Sequence, residues 1–354
     1  MMRRALFHAE RAIGATVPNP MVGAVVVDAA GVVVGQGFHE RAGQPHAEVA
    51  ALDAAGARAR GATLYVTLEP CCHVGRTGPC TRRILASGIT RVVAATLDPF
   101  PQVSGRGVRE LRDAGVAVDV GLEEGEARRL NAAYLMAQER QRPLVVVKVA
   151  TTRDGRIAAR RDRPTRISSE AAARRTQRLR AAVDAIAVGA GTITADDPRL
   201  TARDVVRARP LTRVVFDRHL ATSVTARLFA GNADDPVIMI TDPATLARYP
   251  ERVAGLATAG ADVVPAGSLE AALRVLLGRG LHTVLVEGGA ALHRSFWEAG
   301  LVDRLHLIVA PDRLGTDAVP VFDGYAVPWA RLRRVRSLRC GVDMWLEADV
   351  HWDR

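Results

Sequence analysis

Aromatic residues, cysteine and lysine are all scarce in this sequence, and each shortage excludes something. Phe, Trp and Tyr make up 4% of the 354 residues, and no stretch interleaves aromatic with basic side chains as a base-stacking nucleic-acid surface does. That argues against an RNA-binding editing protein, the reading that a formal charge of +10 invites. Lys148 is the one lysine among 48 basic residues. Such a bias follows genome composition, so an Arg pair alone is no sign of a polyanion site. Of the four cysteines, Cys71, Cys72 and Cys80 cluster and Cys340 stands alone. That is too few and too local for a secreted disulfide framework, and it points to metal or catalysis in a reducing, cytoplasmic setting. No apolar run approaches the ~18–20 residues of a membrane span. Residues 1–10 have a basic front without an apolar h-region, and read as a short amphipathic helix and not as a signal peptide.

What remains is ample for packed cores: 48% of residues are hydrophobic and 24% charged, and the length suits two domains. Strand and helix patterns alternate throughout, which predicts α/β architecture. In the first part, strands are expected at 22–28, 32–37, 62–68, 91–96 and 116–120, and helices at 46–57, 81–86, 107–114 and 123–138. The chain turns polar at Gln138-Glu139-Arg140-Gln141-Arg142-Pro143, and the boundary is placed there, giving domains 1–141 and 142–354. In the second part, strands are expected at 144–149, 185–188, 214–216, 237–241, 262–264, 283–286 and 304–309, and helices at 169–182, 269–277 and 289–299.

The strongest chemical signal is His46-Ala47-Glu48 followed by Glu69-Pro70-Cys71-Cys72-His73 and then Pro79-Cys80. One His and two Cys supply three ligands to Zn²⁺ and leave a fourth position for water, the layout of a catalytic zinc site. A structural zinc knuckle would need Cys72 or His73 as its fourth ligand. Glu48, two residues after His46 in the first turn of a helix, is placed to move protons beside the metal. Cys80 opens a helix, whose N-terminus favours a thiolate.

The pattern H-x-E, then P-C, then a second Cys is that of the zinc-dependent nucleobase deaminases. The nine-position step from Cys71 to Cys80, with His73 and Gly75-Arg76-Thr77 inside it, narrows the match. Together with Thr16-Val17-Pro18-Asn19-Pro20, Thr67-Leu68-Glu69-Pro70-Cys71 and Asp98-Pro99, it makes nearly the whole chain resemble the bifunctional deaminase–reductases of riboflavin biosynthesis. The resemblance implies a cytidine-deaminase-like three-layer α/β/α domain followed by a dihydrofolate-reductase-like α/β domain. It implies His46, Cys71 and Cys80 as zinc ligands and Glu48 as the proton shuttle. Asn19, His39, His73 and Arg76 are implied as substrate contacts, with Cys72 a bystander.

The second part has no Gly-x-Gly-x-x-Gly fingerprint. Two strands instead run into glycines, at Val188-Gly189-Ala190-Gly191-Thr192 and at Val286-Glu287-Gly288-Gly289-Ala290, where backbone amides can approach a phosphate. Arg142-Pro143, Asp154-Gly155-Arg156 and Thr192–Arg203 extend the resemblance through this half. It implies Lys148, Arg180, Leu200, Arg203 and Glu287 as substrate groups. Ala150, Thr151, Arg166, Thr192, Gly288, Gly289 and Ala290 are implied to contact NADPH, with Asp196 beside the nicotinamide and the ribose C1′. Arg166 stands where many members have Trp, and its planar guanidinium can stack or bind the cofactor's extra phosphate.

The expected protein is a zinc- and NADPH-dependent bifunctional enzyme acting on a pyrimidine ribosyl phosphate. It is expected to form a homo-oligomer (dimer or tetramer) and to engage neither nucleic acid nor membrane. A deaminase with an impaired reductase half is the alternative.

Overall fold

The computed structural model describes residues 1–74, 78–163, 165–230 and 235–352. The chain divides into two compact units, Met1–Gln141 and Arg142–Arg354.

The first unit runs α1 (Met2–Glu10), β1 (Gly23–Val27), β2 (Val33–Phe38), α2 (Ala47–Ala55), β3 (Thr63–Val66), α3 (Cys80–Ala86), β4 (Arg91–Ala94), α4 (Arg106–Asp113), β5 (Ala117–Val120), α5 (Glu124–Leu130) and α6 (Ala132–Arg140). Its sheet has the order β2-β1-β3-β4-β5. β1 is antiparallel to both neighbours, and β3, β4 and β5 are parallel. Alternation within β1 splits two cores. Ala24 and Val26 join Leu64, Val92, Leu52, Ile84 and Leu111 on the side of α2, α3 and α4. Val25 and Val27 join Met2, Leu6 and Ala127 on the side of α1 and α5. The result is the expected three layers. Close approach sets the position of α2: a Cβ at Gly37 would lie 2.7 Å from Ala51 N and 3.0 Å from Ala47 O.

The second unit runs β6 (Leu144–Thr152), β7 (Arg156–Ala158), α7 (Glu170–Ala181), β8 (Ala185–Gly189), α8 (Ala190–Asp196), β9 (Thr212–Phe216), β10 (Val237–Thr241), α9 (Pro243–Arg248), α10 (Pro250–Thr258), β11 (Ala261–Pro265), α11 (Leu269–Gly278), β12 (Thr283–Gly288), α12 (Ala290–Glu298), β13 (Arg304–Ala310), β14 (Val319–Pro320), β15 (Leu332–Cys340) and β16 (Asp343–Val350). The main sheet is β11-β10-β9-β8-β12-β6-β13-β16-β15. From β11 to β13 all neighbours are parallel, and β16 and β15 close the edge antiparallel. β7 and β14 form a separate two-stranded sheet. Val145, Val147, Leu305 and Leu307 pack under α11 and α12 on one face. Ile308 and Trp345 pack with Ala172 and Leu179 of α7 on the other.

The structure departs from the pattern reading in several places: β7, β14, α9 and α10 were not expected, and three further differences bear on the fold. The helix expected over 123–138 is two helices broken at Asn131, because that side chain is committed elsewhere: it accepts the Met21 N–H at 2.7 Å and donates to Met21 O at 2.9 Å. The glycine-rich turn expected after the strand at 185–188 is the start of α8. Finally, no strand was expected after residue 309, yet β15 and β16 form a hairpin. β15 reads LRRVRSLRC, and as an edge strand it is mostly exposed, so it lacks apolar alternation.

Candidate active sites

In the first unit, three segments converge because of where strands end and helices begin. His46 is the N-cap of α2, in extended backbone. Cys80 is the first residue of α3, and Cys71 follows the chain as it leaves β3. His46 Nδ1 lies 3.2 Å from Cys80 Sγ and 3.5 Å from Cys71 Sγ, and the Cys80 N–H donates to Cys71 Sγ at 3.4 Å. All three donor atoms lie within 4.8 Å of one another. One imidazole nitrogen and two sulfurs at that spacing fit a zinc ion with one coordination position left over. Cys72 stays outside this group, with its Sγ 3.6 Å from Gln102 O, and burial pushes its thiol up.

Glu48 is 4% exposed beside this cluster. Burial pushes its carboxyl up to about 7; the Cys71 sulfur adds to the rise and His46 opposes it. In the structure Cys71 is the sulfur held low, by hydrogen bonds from Cys80 and His46. Cys80 is pushed up, because it donates to Cys71 and is buried against Glu48.

A cavity of about 460 Å³ opens onto this cluster, lined among others by Asn19, His39, His46, Glu48, Cys71 and His73. The Nδ1 of His39 lies 3.1 Å from Pro45 O, and its Nε2 is 3.1 Å from Asn19 Nδ2. His39 Nδ1 therefore carries the proton and Nε2 accepts from the Asn19 amide. Burial lowers the pKa of His39, which keeps it neutral in that role. The His73 ring stands edge-on to Phe100 at 5.6 Å, and its buried Nδ1 has no hydrogen-bond partner among the described residues. Arg76, expected at the substrate, lies outside the described residues.

Sequence reasoning missed part of this wall. Tyr134 and Gln138, one turn apart on α6, line the cavity with Asp98. The Tyr134 hydroxyl donates to Asp98 Oδ1 at 2.8 Å, and burial raises the Asp98 carboxyl. The only early signal for them was helical spacing on a segment far from the metal motif.

In the second unit, the pairing of β12 with β6 and the packing of α7 bring together residues far apart in the chain. Arg180 donates to Glu287 through Nε at 2.7 Å and Nη2 at 2.9 Å, and through Nη1 to Thr201 O at 2.8 Å. Lys148 Nζ is 3.5 Å from Glu287 Oε2. Burial alone would raise Glu287, but Arg180 and then Lys148 outweigh it and hold the carboxyl at about 2. Leu200 is buried with φ of 53° next to this cluster's Thr201. The Arg203 N–H donates to Gln177 Oε1 at 2.8 Å, and its side chain is exposed.

The two glycine-bearing turns also meet. The Gly289 N–H donates to Thr192 Oγ1 at 2.9 Å. A Cβ at Gly288 would sit 2.9 Å from that same oxygen, while one at Gly191 would meet nothing within 4 Å. Both turns lie at the carboxyl ends of neighbouring parallel strands, where open α/β sheets bind ligands. The open backbone there suits a dinucleotide. Thr151 is buried at the end of β6 and Ala150 half-buried, whereas Arg166 and Asp196 are exposed. Partial burial raises the Asp196 carboxyl.

Comparison with known proteins gives a family to each unit. Residues 1–96 match the cytidine and deoxycytidylate deaminase zinc-binding region, and residues 143–346 match the RibD C-terminal domain. The chain is 42% identical over 316 residues to the riboflavin biosynthesis protein RibD of Aquifex aeolicus, covering 89% of this chain and 87% of that protein. It is 39% identical over 331 residues to the Escherichia coli RibD, covering 90% and 88%. Among solved structures, Acinetobacter baumannii RibD superposes with a TM-score of 0.85 at 34% identity, covering 99% of this chain and 98% of that one. The Thermotoga maritima deaminase/reductase superposes at 0.83 and 33%, covering 99% and 97%. The chain belongs to the RibD family of bifunctional deaminase–reductases of riboflavin biosynthesis.

Proposed function

We propose that the two activities divide between the two units. In this reading residues 1–141 deaminate 2,5-diamino-6-ribosylamino-4(3H)-pyrimidinone 5′-phosphate, and residues 142–354 reduce the ribosyl group of the product to ribityl with NADPH. The observation that carries the first half is the convergence of His46, Cys71 and Cys80 with Glu48 on one cavity. His46, Cys71 and Cys80 would hold a zinc ion, which would supply Lewis-acid activation of water at that position. Glu48, buried beside the three ligands, is the group that would hold and move the proton between the attacking water and the departing amine. Asn19, oriented by neutral His39, reads the pyrimidine edge, and His73 and Arg76 meet the ribosyl phosphate end.

In the second unit NADPH supplies the hydride to C1′. Lys148 and Arg180 with Glu287 make a trio of net charge +1, two cations against one anion. A dianionic phosphate needs more than that, and Arg203 brings the further cation. Asp196 stands in this reading at the nicotinamide and C1′ end, as the carboxyl that would exchange a proton with the sugar oxygen released as the ring opens. Thr151, Thr192 and Gly288–Ala290 line the cofactor side, and Arg166 supports the cofactor's extra phosphate.

We further infer a cytoplasmic homo-oligomer that binds no nucleic acid. Many surface arginines already face carboxylates, among them Arg91–Asp119, Arg128–Glu139 and Arg279–Asp262. An apolar groove of Leu305, Leu307, Leu346 and Trp329 on the β13–β16 side suits a second copy of the chain. Among the described residues no helix is long and apolar enough to cross a membrane. Zinc analysis with product analysis, with and without NADPH, tests the reading on the full chain and on a 1–141 fragment. About one zinc per chain, ammonia release without NADPH and NADPH oxidation only on the deaminated product are expected. Ammonia release by a protein stripped of zinc would overturn it.

A further inference from the structure

Glu69 stands two residues before Cys71, and the chemistry above leaves it without a task. It is 3% exposed, and its carboxylate is committed to backbone. Oε2 accepts the N–H groups of Asp98 at 3.2 Å and Gly105 at 2.9 Å, and Oε1 accepts that of Val108 at 3.1 Å. These amides belong to two different segments, the loop after β4 and the first turn of α4. The fit between them is tight: a Cβ on Gly107 would lie 2.0 Å from Pro70 O and 3.3 Å from Glu69 Oε1. On one side of Glu69, the next residue but one is Cys71, whose sulfur takes the Cys80 N–H. On the other side, Asp98 accepts the Tyr134 hydroxyl at 2.8 Å and the Phe100 N–H at 2.9 Å, and Phe100 stands against His73.

Burying a carboxylate is unfavourable unless its oxygens are satisfied, and among the described residues the groups satisfying them are backbone amides of the segment from the loop after β4 into α4. An amide side chain cannot replace it, since its NH₂ would face at least one backbone N–H. We propose that Glu69 is a positioning residue for deamination. It ties the loop carrying Cys71 to the Asp98–Phe100 wall, so that the metal end and the substrate-facing wall keep one spacing. The proposal rests on the reading of Cys71 as a zinc ligand, and the tests below separate the two.

Glu69→Gln is expected to bind one zinc and to keep the reductase rate, while releasing zinc to a chelator at least ~10-fold faster, as loss of groups supporting a metal ligand does. Its deaminase KM should rise at least ~10-fold. In the cobalt-substituted protein, the sulfur-to-metal and d–d absorption bands should shift. Zinc release, KM and cobalt spectrum all within about two-fold or indistinguishable from the parent would overturn the proposal. Should the variant not fold, amide hydrogen exchange on the parent decides. Metal removal should speed exchange at Asp98, Gly105 and Val108 together by at least ~10-fold, and unchanged protection overturns the tie. Cys71→Ser tests the underlying reading: full zinc retention in that variant would overturn the ligand assignment, whatever Glu69 does.

Discussion

Arg180 grips Glu287 with two parallel N–H···O bonds, at 2.7 and 2.9 Å, across 107 positions of sequence. The pair joins α7 to the carboxyl end of β12, with Lys148 of β6 on the second carboxylate oxygen. Two-pronged charge-assisted contacts of this kind are among the stronger polar interactions in proteins.

Glu287 should make the second unit sensitive to acid. Its carboxyl is held at about 2, below its ordinary 4.5. The unfolded chain therefore binds the proton first as pH falls. The stabilisation is complete above about pH 4.5, and it is lost between there and about pH 2, a swing on the order of 3 kcal/mol. Glu287→Gln should remove this dependence and lower stability at neutral pH, since two buried cations lose their partner. Urea unfolding of residues 142–354 from pH 6 to pH 2 measures it; identical pH slopes for parent and variant would show that the pair does not govern acid stability.

Glu48→Gln should retain zinc and fold but lose deaminase turnover by about two to four orders of magnitude, the range general acid–base groups supply. Ammonia release by the zinc-loaded variant is the measurement. Cys72→Ser should change neither zinc content nor turnover, because Cys72 lies outside the donor cluster; zinc loss from it would show that the wrong cysteine has been assigned.

Lys148→Arg should fold and keep deaminase activity, yet lose at least ~10-fold in reductase efficiency, about 1.4 kcal/mol of transition-state binding. Arg180 already occupies both oxygens of Glu287, and a second planar fork has no matching partner there, whereas a compact ammonium needs only one oxygen. NADPH consumption with the deaminated intermediate decides it, and a parental rate would leave Lys148 a strand-end charge.

Asn131→Ala should destabilise the first unit by about 2 kcal/mol, the worth of two hydrogen bonds to otherwise unsatisfied backbone. Met21 would lose both contacts, and Asn19, two residues earlier, should drift, raising deaminase KM. Thermal unfolding and KM should move together; an unchanged KM would uncouple the α5–α6 break from the substrate loop.

Much of this molecule was legible in one dimension. The parallel strands of the two larger sheets and helices such as α11 and α12 follow local apolar periodicity, which a parallel core written in Val, Ile and Leu displays directly. The trio His46, Cys71 and Cys80 was legible because the chemistry demands particular residue types at close spacing, and few other segments of the chain satisfy that.

Other features depended on distance in sequence. The break at Asn131 follows from a hydrogen bond to Met21, and the exposed strand β15 follows from pairing to β16, so neither carries a local pattern. The duty of Glu69 depends on amides about thirty to forty positions further on, and Tyr134 and Gln138 reach the cavity only because α6 is held against it. Sequence determined which residues could bind metal, phosphate and dinucleotide, since that is a property of side-chain chemistry. Tertiary structure alone decided which of them meet: the pairing of β12 with β6 sets Glu287 beside Lys148, α7 brings Arg180 to the same carboxylate, and charges persist there only because the fold supplies each with its partner.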